Sequence, residues 1–234
     1  MFSLLLHTTV LSVFALRASA ADSFAVFSSI YKQNTWTKDG GGSGTGSTVS
    51  YTKRTRSVIA HVLKEHNVQT MIDAPCGSFH WMPLVFERLK AVGAGPNEYT
   101  GYDVVASVIQ SVSAAHATNV STPKLQFLVA DLTTDSLPRG KDLILSRDAL
   151  QHLSLAQIRA VLRNFQQADP KLLLVGSYPG TYDNVDIPTG SYFPVNVLRP
   201  PFELLPQEVF SEQTPDFKHL LLFTQAQIRA WKLT

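Results

Sequence analysis

The sequence predicts an α/β three-layer sandwich, in which a largely parallel sheet lies between two layers of helices. Two observations support this prediction. Five short apolar runs of strand length alternate with segments that have helical apolar spacing. Three successive runs are also closed by an aspartate, at Asp73, Asp103 and Asp131. Because parallel strands place their carboxyl ends at one edge of the sheet, we expect the three carboxylates to face a common ligand.

Composition limits the classes of protein to which the chain can belong. Its 234 residues, 44% of them hydrophobic, are sufficient for one core, and no linker marks a second domain. The net charge is only +2 and the charged residues are scattered, which argues against binding to nucleic acid or a membrane surface. Cys76 is the only cysteine, and the seven histidines lack metal-binding spacing. We therefore predict neither a disulfide nor a metal site.

Residues 1–20 are typical of a secretory signal. An apolar stretch precedes Ala18-Ser19-Ala20, which predicts cleavage after Ala20 and a protein that is secreted or resident in the secretory pathway. The amino end has no lysine or arginine and His7 interrupts the apolar stretch, so an uncleaved anchor, an organelle-targeting segment and a cytosolic location stay open. Asn119 begins a glycosylation sequon. No later stretch is long enough to span a membrane.

Residues 21–48 precede the main domain, to which we assign residues 49–234. They contain Tyr31 and Trp36, followed by a stretch rich in glycine and serine from Gly40 to Thr48. Such a stretch is typical of a flexible linker. Glycines directly before a helix also bring backbone amides up to a polar or anionic ligand. The aromatic residues upstream favour a lid over a site, and both interpretations stay open.

The first strand, turn and helix surround Asp73. An apolar run ends at this residue, and Pro75-Cys76-Gly77 then leads into a segment with helical apolar spacing that includes Trp81. Gly77 lets the backbone come close to a ligand, and the free amides of the following helix point into the same crevice. Asp103 follows after 30 residues, the length of a strand–helix–strand repeat. An ionised acid at that strand end can accept hydrogen bonds from both hydroxyls of a ribose.

The rest of the chain completes the predicted sheet. Ser154 and Gln157 have the spacing of a capping box and predict a helix through Phe165. Residues 178–201 are rich in proline, glycine and tyrosine and are typical of a binding loop. The other predicted elements are a helix over 108–117, strands over 125–131, 142–146, 172–177, 202–205 and 219–224, and a closing helical turn over 225–234.

Three polar residues follow the fourth strand. Asp148 and His152 are four residues apart, so they would share one face if this segment is helical. Histidine is a suitable general base because its unperturbed pKa lies near neutrality, and Asp148 can orient it or bind a cationic or hydroxylated acceptor. The alternative interpretation is a helix cap or an ion pair between Arg147 and Asp148.

The three strand-end acids match a cofactor that offers a cationic or amine end, a diol and an adenine amine. Together with Asp-x-Pro-Cys-Gly and Ser-Arg-Asp-x-x-x-His, they resemble the class I S-adenosylmethionine-dependent methyltransferases. A narrower resemblance is to a group with Trp, Ser-Gly-x-Gly-Ser and Asp-x-Pro-Cys-Gly-x-x-x-Trp-Met, although Ser78 and His80 depart from its more frequent Asp and Asn. The resemblance implies a Rossmann-like, seven-stranded sheet of order 3-2-1-4-5-7-6, with S-adenosylmethionine as cofactor. The implied cofactor-binding residues are Trp36, Ser43, Asp73, Ala74, Pro75, Gly77, Trp81, Asp103, Val104, Asp131, Leu132 and Arg147.

The segment from Ser146 to His152 is also similar to the corresponding stretch of phosphoethanolamine methyltransferases. In that family the aspartate and the histidine contact the phosphobase, and the histidine pairs with a tyrosine of an amino-terminal lid. The resemblance implies catalytic roles for His152 and Asp148, with Tyr31 as the partner. The expected reaction is methyl transfer to an oxygen or nitrogen of a small molecule, without nucleic acid as a partner.

Three other interpretations are weighed against this one. Cys76 follows the first strand, whereas the nucleophilic cysteine of cytosine-modifying RNA methyltransferases follows the fourth, which favours a packed turn cysteine. A dinucleotide oxidoreductase predicts regular glycine spacing that is absent here. A catalytically inactive binding protein of the secretory pathway stays open, because S-adenosylmethionine is made in the cytosol.

Overall fold

The computed structural model describes residues 23–118 and 123–233. The predicted signal over 1–20 and the sequon at Asn119 lie outside the described residues. The strands are β1 (Thr70–Asp73), β2 (Glu98–Asp103), β3 (Lys124–Val129), β4 (Leu143–Ser146), β5 (Leu172–Ser177), β6 (Glu208–Ser211) and β7 (His219–Thr224). They form one seven-stranded sheet of order β3-β2-β1-β4-β5-β7-β6. The first five strands are parallel, and β7 is antiparallel to both β5 and β6. The predicted sheet order is confirmed.

Helices cover both faces of the sheet. They are α1 over residues 23–33, α2 (Lys53–Glu65), α3 (Met82–Lys90), α4 (Ala106–Ala115), α5 (Leu155–Ala168) and α6 (Gln225–Arg229). The buried residues of α2, α3 and α4 form one core cluster with one face of the sheet, and those of α5 and α6 form a second cluster on the other face. The predicted capping box is present at the start of α5.

Strand β4 shows how the sheet joins the two clusters. Leu143 and Leu145 pack into the cluster on the α2 side, while Ile144 between them packs into the cluster on the α5 side. All three side chains are completely buried. This is why the strand is a continuous apolar run in the sequence, as expected for a parallel strand covered on both faces.

The predicted strand over 202–205 is wrong. Phe202 and Leu204 are buried, but they pack against the α5 side of the sheet from an irregular loop. Between them Glu203 has a left-handed φ of 52°, and prolines flank the segment on both sides, which is incompatible with a regular strand. The true sixth strand, Glu208–Ser211, is a half-exposed edge strand whose few apolar residues produce only a weak sequence signal.

The closing helical turn is also shorter than predicted, since α6 ends at Arg229. Within 23–118 and 123–233, none of the helices is both long enough and apolar enough to cross a lipid bilayer.

Candidate active site

A cavity of about 950 Å³, including its open mouth, lies at the carboxyl ends of β1 to β4. The segment from α1 to residue 48 forms its opposite wall. Ala74 is completely buried and does not reach the wall. The other predicted site residues all line the cavity, namely Tyr31, Trp36, Ser43, Asp73, Pro75, Gly77, Trp81, Asp103, Val104, Asp131, Leu132, Arg147, Asp148 and His152.

Asp103 joins the end of β2 to the turn after β1. One carboxylate oxygen accepts a hydrogen bond from the Gly77 amide at 3.1 Å, and the other accepts from the Val105 amide at 2.9 Å. Burial raises the pKa of Asp103 to about 6, although these amide hydrogen bonds oppose the shift. The site therefore holds a carboxylate that gains or loses its proton close to neutral pH.

Asp73 is likewise buried at the end of β1. The hydroxyl of Tyr99 donates to its carboxylate at 2.7 Å. The pKa of Asp73 is raised to about 7, mainly by burial and also by the nearby charge of Asp103, although the Tyr99 hydrogen bond and the charge of Arg147 lower it. A cationic ligand group beside Asp73 would favour the ionised carboxylate.

Asp131 lies two residues beyond the end of β3, so it does not close the strand itself as the sequence predicted. Its Oδ1 accepts hydrogen bonds from the amide and the hydroxyl of Thr133, at 2.8 and 2.6 Å. Its Oδ2 is buried and has no hydrogen-bond partner among the described residues. An unpaired buried carboxylate oxygen is costly, and a ligand that donates a hydrogen bond in the cavity would satisfy it.

The segment 36–48 packs tightly on the turn after β1. The Oγ of Ser43 accepts a hydrogen bond from the Ser78 amide at 3.1 Å and lies 2.7 Å from the Tyr31 hydroxyl. The Ser78 hydroxyl donates to the Gly40 carbonyl at 2.7 Å. Arg147 donates to the carbonyl of Gly46 at 3.0 Å. The Gly/Ser stretch therefore forms two 3₁₀ turns that pack against the site, and its role as a lid stays a prediction.

Gly77 has no room for a side chain. Its φ is +53°, and a Cβ added to it would lie 2.8 Å from the Ser43 Oγ. Gly140 has a similar φ of +72°, but nothing lies within 4 Å of an added Cβ. We expect Gly140→Ala to lower the free energy of unfolding by about 1 kcal/mol through backbone strain alone. We expect Gly77→Ala to cost about 2 to 4 kcal/mol because the contact with Ser43 is also lost.

Urea denaturation of the two variants and the unchanged protein would measure these values. Equal losses for Gly77→Ala and Gly140→Ala would show that the close packing of Ser43 on the turn contributes nothing to stability.

Asp148 and His152 do not share a helical face, because the segment that contains them is not an α-helix. Asp148 has a left-handed φ of 53°, and only a short 3₁₀ turn, Leu150–His152, follows it. The reversal at Asp148 prevents a continuous helix. Both side chains nevertheless line the same cavity.

His152 is held in one tautomer by the loop after β5. Its Nδ1 lies 2.8 Å from the carbonyl oxygen of Ser191. A carbonyl only accepts hydrogen bonds, so Nδ1 carries the proton and Nε2 of the neutral ring keeps its lone pair. Burial lowers the pKa of His152, and the charge of Lys218 lowers it further, whereas the Ser191 hydrogen bond and Asp148 raise it. The imidazole is therefore neutral and able to accept a proton at pH 7.

The predicted pairing of Tyr31 with His152 is not formed. The Tyr31 hydroxyl is bound to Ser43 instead. The ring of Trp36 contacts both residues, with its centroid 4.6 Å from the His152 ring and 5.9 Å from the Tyr31 ring. Trp36 thus takes the position beside the imidazole that the sequence assigned to Tyr31.

Two charged residues of the site, Glu212 and Lys218, were not predicted from the sequence. Arg147 pairs with Asp148 at 3.0 Å, as the alternative interpretation proposed, and its Nε also donates to Glu212 at 2.9 Å. Lys218 pairs with Asp148 at 2.8 Å. Glu212 and Lys218 come from the turn between β6 and β7, where isolated charges in a sequence usually indicate a solvated loop. In the described part of the chain, no three acidic, histidine or cysteine side chains are grouped to hold a metal ion.

The order of the strands defines a Rossmann-like fold of the methyltransferase type. The position of the cavity at the carboxyl ends of the strands, under the segment from α1 to residue 48, agrees with this fold. The methyltransferase domain of bacterial CtHen1 superimposes with a TM-score of 0.54 at 19% identity, covering 74% of this chain and 98% of that domain. Magnesium protoporphyrin IX methyltransferase from Synechocystis PCC 6803 with bound SAH gives 0.52 at 12% identity, covering 73% and 81%. TehB from Haemophilus influenzae gives 0.52 at 14% identity, covering 75% and 66%. No protein-family model and no curated protein sequence matches the chain.

Proposed function

We propose that this protein is a methyltransferase that uses S-adenosylmethionine to methylate an oxygen or nitrogen of a small molecule. The observation that carries the proposal is the convergence of Asp73, Asp103 and Asp131 on one cavity. It occurs in a fold shared with a methyltransferase crystallised with SAM and with SAH. The non-catalytic alternative, a binding protein without activity, is favoured by no observation on the described residues.

The cavity fits the chemistry of the proposed cofactor. An adenosyl group offers an exocyclic amine, and the unpaired Oδ2 of Asp131 is an acceptor for it, with Leu132 beside the adenine. Asp103 would accept from the ribose hydroxyls, with Val104 beside it. The turn from Asp73 to Gly77 would hold the methionine end. The other proposed contacts are Trp36, Ser43, Trp81 and Arg147.

The residues of this chain supply alignment, shielding and proton acceptance. When bound, the cofactor supplies an electrophilic methyl group on a sulfonium. Trp36 covers the imidazole of His152 and excludes water from that side of the site. The Nε2 of His152 takes the proton of the acceptor hydroxyl or amine. Asp148 is held by Arg147 and Lys218 and stays ionised, so it does not compete for this proton.

Calorimetric titration of the protein with S-adenosylmethionine at several pH values tests the proposal. Ribose hydroxyls and a cationic methionine end favour ionised Asp103 and Asp73, so the cofactor should bind the deprotonated site and release protons near pH 6 to 7. We expect the affinity at pH 5 to be at least about tenfold lower than at pH 7, since pH 5 lies one unit below the pKa of Asp103. The same raised pKa values make the free protein less stable as the pH rises from 4 to 7.

Incubation with S-adenosylmethionine labelled in its methyl group and a metabolite extract would then identify the acceptor. Absence of binding at millimolar cofactor would refute the proposed function. Binding without pH dependence between 5 and 7 would refute the assignment of the two buried carboxylates.

A further inference from the structure

We propose that Lys218 is a positioning residue for the reaction, which holds Asp148 in an ion pair beside His152 and thereby leaves His152 as the proton acceptor. The inference rests on the proposed role of His152. It concerns a residue that does not itself line the cavity and has no motif in the sequence.

The turn between β6 and β7 places Lys218 at the site. The Glu212 amide donates to the Lys218 carbonyl at 2.9 Å, which extends the antiparallel pairing by one step beyond Ser211 and His219. Cross-strand partners of an antiparallel pair project from the same face. Glu212 and Lys218 therefore point together toward the end of β4, where they meet Arg147 and Asp148 respectively.

The ammonium of Lys218 is buried and firmly held. Its side chain is only 8% exposed. It lies 5.0 Å from the ring centre of Tyr51 and 5.8 Å from that of Tyr178, two cation–π contacts that surround it with aromatic faces. Of the two acidic partners of this ammonium, Asp148 at 2.8 Å is nearer than Asp216 at 3.5 Å.

Both carboxylate oxygens of Asp148 already have hydrogen-bond or ion-pair partners. Its Oδ2 receives both Lys218 at 2.8 Å and Arg147 at 3.0 Å, and its Oδ1 receives the Gln151 side chain at 3.1 Å. Burial raises the pKa of Asp148, but the two cations more than offset this and hold it below its usual value. A carboxylate with these partners neither accepts the proton of a substrate nor binds a cationic acceptor as its sole counter-ion.

Among the described residues, the charged side chains that act on His152 are Asp148 and Lys218. Its own segment contributes Asp148, which raises the pKa of the imidazole, and the β6–β7 turn contributes Lys218, which lowers it. The loop after β5 contributes the Ser191 carbonyl and the ring of Tyr192 at 5.8 Å, and the segment over residues 36–48 contributes the uncharged ring of Trp36. Removal of Lys218 should therefore leave the negative charge of Asp148 less compensated and make His152 harder to deprotonate.

NMR titration of histidine-labelled protein without cofactor tests this directly, with the His152 signal assigned by its loss in His152→Gln. We expect Lys218→Met to raise the pKa of His152, because the charge that lowers it is removed while Asp148 remains. Lys171→Met is the matched control, because Lys171 also pairs with an aspartate, Asp142, at 2.7 Å, but lies at the opposite edge of the sheet. A His152 pKa that moves no further in Lys218→Met than in Lys171→Met would overturn the proposal.

If Lys218→Met does not fold, the pKa of His152 in the variant Asp148→Asn tests the proposal instead. This near-isosteric change removes the negative charge that opposes Lys218 beside His152, so the pKa of His152 should fall, and an unchanged value would overturn the proposal. Because no turnover is measured, a failure of methyl transfer would refute the proposed function without affecting this result. An unaltered His152 titration would refute the role of Lys218 and leave the proposed function standing.

Discussion

Replacement of Asp103 with asparagine is expected to weaken the binding of S-adenosylmethionine about 100-fold, which corresponds to roughly 2.7 kcal/mol. An ionised carboxylate can accept hydrogen bonds from both ribose hydroxyls, whereas an amide has only one oxygen. The amide nitrogen of asparagine would also face a backbone N–H, either that of Gly77 or that of Val105, which now donate to the two carboxylate oxygens. The turn after β1 would therefore loosen at the point where the cofactor is proposed to lie.

Asp142→Asn is a suitable control for this experiment. Asp142 is also an aspartate that accepts two backbone hydrogen bonds, from Gln69 and Thr70, both at 2.9 Å. It lies at the start of the strands, on the edge of the sheet opposite to the cavity. We expect this variant to lose stability but to bind the cofactor with unchanged affinity in calorimetry. If Asp103→Asn bound as tightly as Asp142→Asn, the ribose assignment would be wrong.

The position of the site could be predicted from the sequence because it follows from local patterns and one topological rule. An apolar run followed by an aspartate identifies the end of a strand, and parallel strands bring these ends together. Asp73 and Asp103 were placed correctly for this reason. Asp131 reaches the same cavity although β3 ends two residues earlier, since the chain continues past the strand along the same edge of the sheet.

The contacts within the site depend on information that a local pattern does not contain. The four-residue spacing of Asp148 and His152 left open whether their segment is helical, and tertiary packing selects the left-handed backbone at Asp148 instead. Lys218 meets Asp148 across 70 residues of chain, through the pairing of β6 with β7, and β6 itself was misplaced. Tyr31 and Trp36 were both expected near the site, yet only packing determines which ring contacts His152.

Replacement of His152 with alanine is expected to lower the turnover number by about 10² to 10⁴, the usual contribution of a general base. The cofactor affinity should change less than about threefold, because the proposed cofactor contacts lie on other residues and His152 contributes mainly its contact with Trp36. The pH profile is a second readout. The pKa of His152 is lowered chiefly by burial, so the unchanged enzyme should lose activity only below the ordinary histidine range, as the imidazole becomes protonated.

His219→Ala separates the loss of a base from the loss of an imidazole that is hydrogen-bonded to a backbone carbonyl. The Nδ1 of His219 is also 2.8 Å from a backbone carbonyl, that of Phe217, but the ring lies outside the cavity. With the acceptor identified by the labelled-cofactor experiment, His219→Ala should retain turnover and the acid limb of its pH profile, whereas His152→Ala should lose both. A His152→Ala enzyme that turned over at the normal rate would exclude His152 as the base. Because Asp148 is ion-paired, it would not replace His152 as the base, and an acceptor that is already deprotonated at neutral pH would account for the normal rate.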